Sequence, residues 1–222
     1  MERHLDQDLD RIRQELLRMG GLVEEMIGGA MQALIDRDAE HANVVIATDN
    51  EVDTLEKQID DRCHIVLGLR QPTATDLRFL VSVMKIATDL ERMGDAAVNV
   101  AQYVEVLNRE PQLKPYIDLP RMSTLVRGMV RDSLDSFVAR DTGKALDVWR
   151  RDDQVDGLYR QLFRELLTFM MEDPKTVTRA LHLLLVARNF ERIGDHATNI
   201  AEMVIFMVKG KSIRHLSVPA TI

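Results

Sequence analysis

Apolar residues recur along the first half of the chain in alternating steps of four and three. Leu5, Leu9, Ile12, Leu16, Met19, Val23, Met26, Ala30 and Ala33 make one such seam, which predicts a single long helix because a 3.5-residue repeat keeps one stripe on one side. Gly20-Gly21 and Gly28-Gly29 fall inside it. Each glycine costs about 1 kcal/mol against alanine in a helix, so the pairs predict close packing or a bend. A second seam, Val45, Val52, Leu55, Ile59, Val66 and Leu69, predicts a helix over residues 38–69. Arg70-Gln71-Pro72-Thr73-Ala74-Thr75 interrupts it, with Pro72 as the breaker and a threonine placed to cap the next helix. That third helix is the clearest: Phe79, Val83, Ile86, Leu90, Met93, Ala97, Val100, Val104 and Leu107 keep the same rhythm.

Pro111, Pro115 and Pro120 then exclude a helix interior and mark a boundary between halves. Beyond them the pattern restarts. Arg140-Asp141 through Asp152 and Asp156 repeats Arg37-Asp38 through Asp49 and Asp53 at a spacing of 103. The string Glu91-Arg92-Met93-Gly94-Asp95-Ala96-Ala97-Val98-Asn99-Val100-Ala101 returns as Glu191-Arg192-Ile193-Gly194-Asp195-His196-Ala197-Thr198-Asn199-Ile200-Ala201 at a spacing of 100. The change in spacing predicts a shorter connection around Glu172-Asp173-Pro174, where Asp173 reads as a cap and Pro174 as a first-turn residue. The prediction is an all-α fold, a tandem repeat of two antiparallel three-helix bundles. Its parts are a first bundle at 1–108, a Pro-rich linker at 109–120, a second bundle at 121–209 and a tail at 210–222.

The polar face repeats more faithfully than the core. At ~100° per residue, Glu91, Asp95 and Asn99 span about 80° of one helix face, away from the Leu90, Met93 and Ala97 seam. Between the two runs a strip of small residues, Ala87, Gly94 and Ala101, repeated as Ala187, Gly194 and Ala201, which predicts a tight neighbour beside the carboxylates. The second helix offers Asp49, Asp53 and Glu56, echoed by Asp152 and Asp156. Two helices per half therefore present four carboxylates to one another, with Asn99 or Asn199 as a further oxygen. Like charges at ~4 Å repel by about 1 kcal/mol in water and by more near the interior, so a cation or an arginine has to compensate.

Oxygen-only donors select hard cations such as magnesium, manganese, calcium or ferric iron. A catalytic diiron bundle places Glu-x-x-His on two helices, whereas the residue three after Glu91 is Gly94 and three after Glu191 is Gly194. Four readings stand at this point: an ion site, a protein-docking face, a solvated face paired to Arg92 and Arg192, and a hydrolytic or redox metalloenzyme. A purely structural helical module with a solubilising acidic stripe is the plainest version of the third. No phosphate-cradling glycine loop and no nucleophile-plus-base pattern is present, so no catalytic residue is assigned.

Composition narrows the partners. The formal charge is -7 and the pI near 5.4, which argues against a nucleic-acid backbone as ligand. A lone Cys63 forms no internal disulfide, and Met1-Glu2-Arg3-His4 lacks the apolar core of a signal peptide, so a cytoplasmic protein is expected. No apolar run approaches the ~20 residues that span a bilayer, which leaves membrane association through partners. His196 stands where the first half has Ala96 and reads as structural; His64 and Cys63 read as packing, as do the methionines.

Three segments together, Met19-Gly20-Gly21-Leu22-Val23-Glu24, the paired E-R-x-G-D-x-A-x-N-x-A strings and Gly210-Lys211-Ser212-Ile213-Arg214-His215, resemble the PhoU family of bacterial phosphate-signalling regulators over essentially the whole chain. The resemblance implies two three-helix bundles with metal clusters bound at E(D)-x-x-x-D motifs. Carried over by motif, the metal-site residues are Asp49, Asp53, Glu91, Asp95, Asp152, Asp156, Glu191 and Asp195. The cofactors it implies are divalent or ferric ions, among iron, zinc, manganese and magnesium. Asp89 is replaced by Asn189 in the second half, which predicts sites of unequal charge. The resemblance further implies a non-enzymatic, cytoplasmic adaptor, a negative regulator of phosphate signalling and uptake. It would link the ATPase subunit of a phosphate ABC transporter to a sensor histidine kinase, with the chain as a homodimer.

Overall fold

The computed structural model describes residues 2–211, and Ser212-Ile213-Arg214-His215 of the tail motif lie outside them. The described chain forms six α-helices: α1 (Glu2–Asp36), α2 (Ala39–Leu69), α3 (Ala74–Leu107), α4 (Asp118–Ala139), α5 (Thr142–Glu172) and α6 (Val177–Lys209). A 3-10 turn, Pro174–Thr176, leads into α6. Strands are absent among the described residues. α1, α2 and α3 pack on one another as one bundle and α4, α5 and α6 as the second; the bundles meet where α3 lies on α6 and α1 on α4.

The turns repeat as closely as the helices do. Arg37 (φ 57°) and Arg140 (φ 53°) both take left-handed backbone after α1 and α4. The aspartate that follows then caps the next helix. Asp38 Oδ1 accepts from the His41 amide at 3.0 Å, and Asp141 Oδ1 accepts from Gly143 and Lys144 at 2.8 and 3.0 Å. α2 and α5 consequently start in register and run the same 31 residues. Thr73 caps α3 in a reciprocal box with Asp76, as the threonine-rich break predicts.

Every seam position named for α3 is buried, as are Ile12 through Ala33 on α1. Leu69 departs from its seam: it is 73% exposed, being the last residue of α2, past the packed part of the bundle. Pro120 belongs to α4, where the third helical position needs no amide donor. Asp173 caps the 3-10 turn by accepting from the Lys175 amide at 3.0 Å, so α6 itself begins later. Cys63 is buried with its thiol pushed up to about 12, chiefly by desolvation, while the neighbouring His64 is exposed and turned back to Asp60. The two side chains occupy different faces, which excludes a ligand pair.

The glycine pairs in α1 permit close approach. A Cβ on Gly20 would sit 2.2 Å from Leu134 Cδ1 on α4, whereas one on Gly21 would meet nothing within 4 Å. Only the first of the pair is set against the other bundle. Arg131 of α4 adds a two-pronged contact to Glu24, its Nε and Nη2 donating to Oε2 at 3.1 and 3.0 Å. Phe79 of α3 stacks on Phe137 of α4 with ring centroids 5.7 Å apart.

Candidate carboxylate faces

In each bundle the second and third helices carry the acidic residues, and a glycine sets the distance between them. Asp49 of α2 lies over Gly94 of α3: a Cβ there would be 3.0 Å from Asp49 Oδ1, 3.5 Å from Val52 Cγ1 and 3.7 Å from Met26 Cε. The second bundle repeats the arrangement more loosely, with Asp152 Oδ1 at 3.3 Å and Val155 Cγ1 at 3.4 Å from the corresponding point on Gly194. The small-residue strip thus admits a carboxylate and a valine from the neighbouring helix.

Burial and mutual repulsion shift some of these groups upward. Desolvation, then Asp53 and Asp95, raise Asp49 to about 6. Asp152 rises to about 7 through desolvation, then Asp195, Asp156, Glu191 and Asp153. Glu91, Glu191 and Asp195 are also raised, desolvation being the largest cause of each. The eight residues of the motifs therefore act on one another in two groups of four, one per bundle, as the repeat predicts.

Two buried oxygens, Asp49 Oδ1 and Glu191 Oε2, have no hydrogen-bond partner. Orphaned buried oxygens in a crowd of like charge suit a hard cation, and the donor set is oxygen alone. As the side chains stand, no three His, Cys, Asp or Glu among the described residues converge closely enough to hold a metal ion. The faces have the right chemistry in a spread arrangement.

Several partners differ from the sequence reading. The arginine paired to Glu191 is Arg188, one turn earlier, and it also lies over the Tyr159 ring at 5.9 Å. An i, i+3 spacing from Glu191 is the signal that identifies it. Thr88 Oγ1 donates to Glu56 Oε1 at 3.1 Å and ties the outer acid of α2 to α3. Asn199 supplies no oxygen to the acidic face. Its Nδ2 donates across the bundle interface to Asp89 Oδ1 at 3.1 Å, beside His196 Nδ1, which donates to the same oxygen at 2.8 Å. A helical wheel places Asn199 near the carboxylates, but α3 fills that direction.

Fold and site together define a tandem three-helix-bundle protein with one oxygen-rich face per repeat. The family model described as the PhoU domain matches residues 16–104 and 119–204. The chain belongs to the PhoU family. It is 42% identical over 210 residues to a phosphate-specific transport system accessory protein PhoU homolog of Pseudomonas aeruginosa, covering 94% of this chain and 87% of that one. A homolog of the same description from Aquifex aeolicus is 44% identical, covering 95% and 96%. The crystal structure of PhoU from Pseudomonas aeruginosa superposes with a TM-score of 0.90 at 42% identity, covering 93% of this chain and 99% of that one. The phosphate transport system regulatory protein PhoU from Streptococcus pneumoniae gives 0.88 at 31% identity, covering 94% and 99%. No helix among the described residues is long and apolar enough to cross a membrane.

Proposed function

We propose that this chain is a cytoplasmic, non-enzymatic adaptor of phosphate uptake, a negative regulator that links the ATPase subunit of a phosphate ABC transporter to a sensor histidine kinase and holds the starvation response off when phosphate is plentiful. The observation that carries this reading is the match, over nearly the whole chain, to accessory and regulatory proteins of phosphate transport.

Within that role the carboxylate faces would hold hard cations. Asp49, Asp53, Glu91 and Asp95 would serve one, and Asp152, Asp156, Glu191 and Asp195 the other. A bound divalent or ferric ion would supply positive charge and cross-link two helices, with no turnover required. Gly94 and Gly194 let Asp49 and Asp152 of the neighbouring helix approach, which supports this reading, and Arg188 offsets part of the charge in the second face. Homodimerisation belongs to the same proposal. A second reading keeps the regulatory role and treats the faces as bare docking surfaces; the spread of the carboxylates favours it.

Deleting the gene and following a phosphate-starvation promoter in phosphate-rich medium tests the role. Derepression, reversed by the wild-type gene, is expected; an unchanged promoter in a strain without a second copy overturns it. Complementation with Glu91→Gln, Asp95→Asn, Glu191→Gln and Asp195→Asn combined, together with metal content of the untagged protein, separates the two readings of the faces.

A further inference from the structure

The two repeats differ on the outer side of their second helices. α2 and α5 align residue for residue at a spacing of 103, and most of their buried positions coincide, among them Val52 with Val155, Ile59 with Leu162 and Cys63 with Leu166. On the solvent side α2 carries Asp60, Asp61, His64 and Gly68. At the same positions α5 carries Phe163, Arg164, Leu167 and Met171, all exposed. At these four positions polar and acidic residues of α2 are replaced by three apolar residues and an arginine on α5. Elsewhere on the same side α2 exposes Ile65 and Leu69 where α5 has Thr168 and Glu172, and Lys57 stands where α5 has Arg160.

Phe163, Leu167 and Met171 stand at i, i+4 and i+8, so they form one stripe along two turns of helix. Each is more than two-fifths exposed, and Met171 is 77% exposed. The short turn after α5 sends α6 back antiparallel, which brings its first turns alongside the last turns of α5. Those turns expose Val177 and Leu181. Five large apolar side chains are therefore left open at one end of the second bundle. In the first bundle a cavity of about 370 Å³ opens beside α2 and α3, lined by polar Asp60, Lys85 and Thr88 and by apolar Val81, Met84 and, from α6, Met203.

Charge narrows what covers the stripe. Arg160 and Arg164 border it, and neither guanidinium makes a hydrogen bond or ion pair among the described residues. Free arginines on a chain of net charge -7 create a local basic rim around an apolar strip. Aromatic, Met and Arg side chains are the types enriched in protein interfaces, and a stripe at i and i+4 spacing fits a partner helix laid along it.

We propose that the outer face of α5, completed by the first turns of α6, docks an acidic amphipathic helix of another protein, with Phe163, Leu167 and Met171 meeting its apolar side and Arg160 and Arg164 its carboxylates. This surface adjoins the second carboxylate face, since Asp156 lies one turn before Arg160 on α5, and needs no cation.

The test places the photo-crosslinker p-benzoylphenylalanine at Leu167 of the full chain in its own cells and sequences the crosslinked peptide. The expected product joins this chain to a different protein, through a segment rich in Asp and Glu with apolar residues at helical spacing. Its yield falls about tenfold in Arg160→Glu/Arg164→Glu, as loss of two complementary charges predicts, and stays within twofold in Lys57→Glu on the matching face of α2. Arg160→Gln/Arg164→Gln replaces the charge reversal if circular dichroism shows that variant misfolded. Crosslinks to a second copy of this chain, to lipid alone, to a basic or non-helical segment, or to nothing overturn the proposal, as does a yield indifferent to the two arginines.

Discussion

Oδ1 of Asp49 lies 3.0 Å from where Gly94 would carry a Cβ, and that oxygen has no hydrogen-bond partner. The glycine thus holds open the space of a half-buried acid on the neighbouring helix. Gly94→Ala should gain up to about 1 kcal/mol of helix propensity while displacing the carboxylate. The cation-free protein should melt no lower than wild type, and affinity for manganese or ferric ion at the first face should fall about tenfold, the size of a disturbed supporting contact. Gly194→Ala, with 3.3 Å available, should lose less. Titration calorimetry beside thermal melts checks both; equal affinity in Gly94→Ala and wild type would remove the glycine from the site.

The raised carboxylates fix the sign of a pH dependence. Asp49 and Asp152 hold their protons to about 6 and about 7 when folded, against 3.8 in the unfolded chain. The folded state binds protons more tightly, so this stabilisation is complete below about pH 4 and is lost as pH rises through the folded values. Thermal melts in chelator should show the cation-free protein losing stability from pH 5 to 7.5. Asp152→Asn should lose less over the same range. Asp132, lowered by its bonds to Arg151 and Lys144, acts only below this window and with the opposite sign. A wild-type curve that rises toward pH 7.5 would contradict the assignment.

The sequence reveals helix spans and duplication because both are written in local pattern. Thr73, Asp38 and Asp141 cap by contacts within three residues, and the four-three seam of α3 is buried throughout. The eight carboxylates are legible because identity recurs on the polar face. What stays hidden depends on which helix fills a given direction. A wheel gives the angle of Asn199 but not the presence of Asp89 there, whereas the i, i+3 spacing does favour Arg188 over the adjacent Arg192 as the partner of Glu191. Leu69 fits its seam and is exposed because the seam outlasts the bundle.

Two arginines with the same backbone should answer differently to the same substitution. Arg37 and Arg140 both have positive φ, a conformation that costs a non-glycine residue about 1 kcal/mol. Arg37 Nη2 donates to the carbonyls of Leu107, Asn108 and Glu110 at 3.3, 3.0 and 2.7 Å, which satisfies the end of α3. Arg140 has no such side-chain contacts among the described residues. Arg140→Gly should raise stability by about 0.5–1 kcal/mol, and Arg37→Gly should lower it by about 1 kcal/mol or more despite the relieved backbone. Urea unfolding of the two variants measures the difference, and a gain in both would mean the carbonyl contacts contribute nothing.

The bundle interface carries a second asymmetry with a measurable consequence. Asp89 Oδ1 accepts from both His196 and Asn199, and the Asp89 and His196 side chains are only 15% and 12% exposed. The repeat spacing puts Asn189 and Ala96 at the matching positions, so this contact is made once. Removing His196 leaves Asp89 with one donor in a largely buried setting. His196→Ala and Asp89→Ala should each cost about 1–3 kcal/mol, and the double variant should cost less than the two together by about 1 kcal/mol, since the pair is lost only once. Asp89→Asn should be milder than Asp89→Ala, because an amide oxygen in the place of Oδ1 still accepts from both donors. Strict additivity in the cycle would show that the two side chains share no energy, and the polar tie between α3 and α6 would then rest on Asn199.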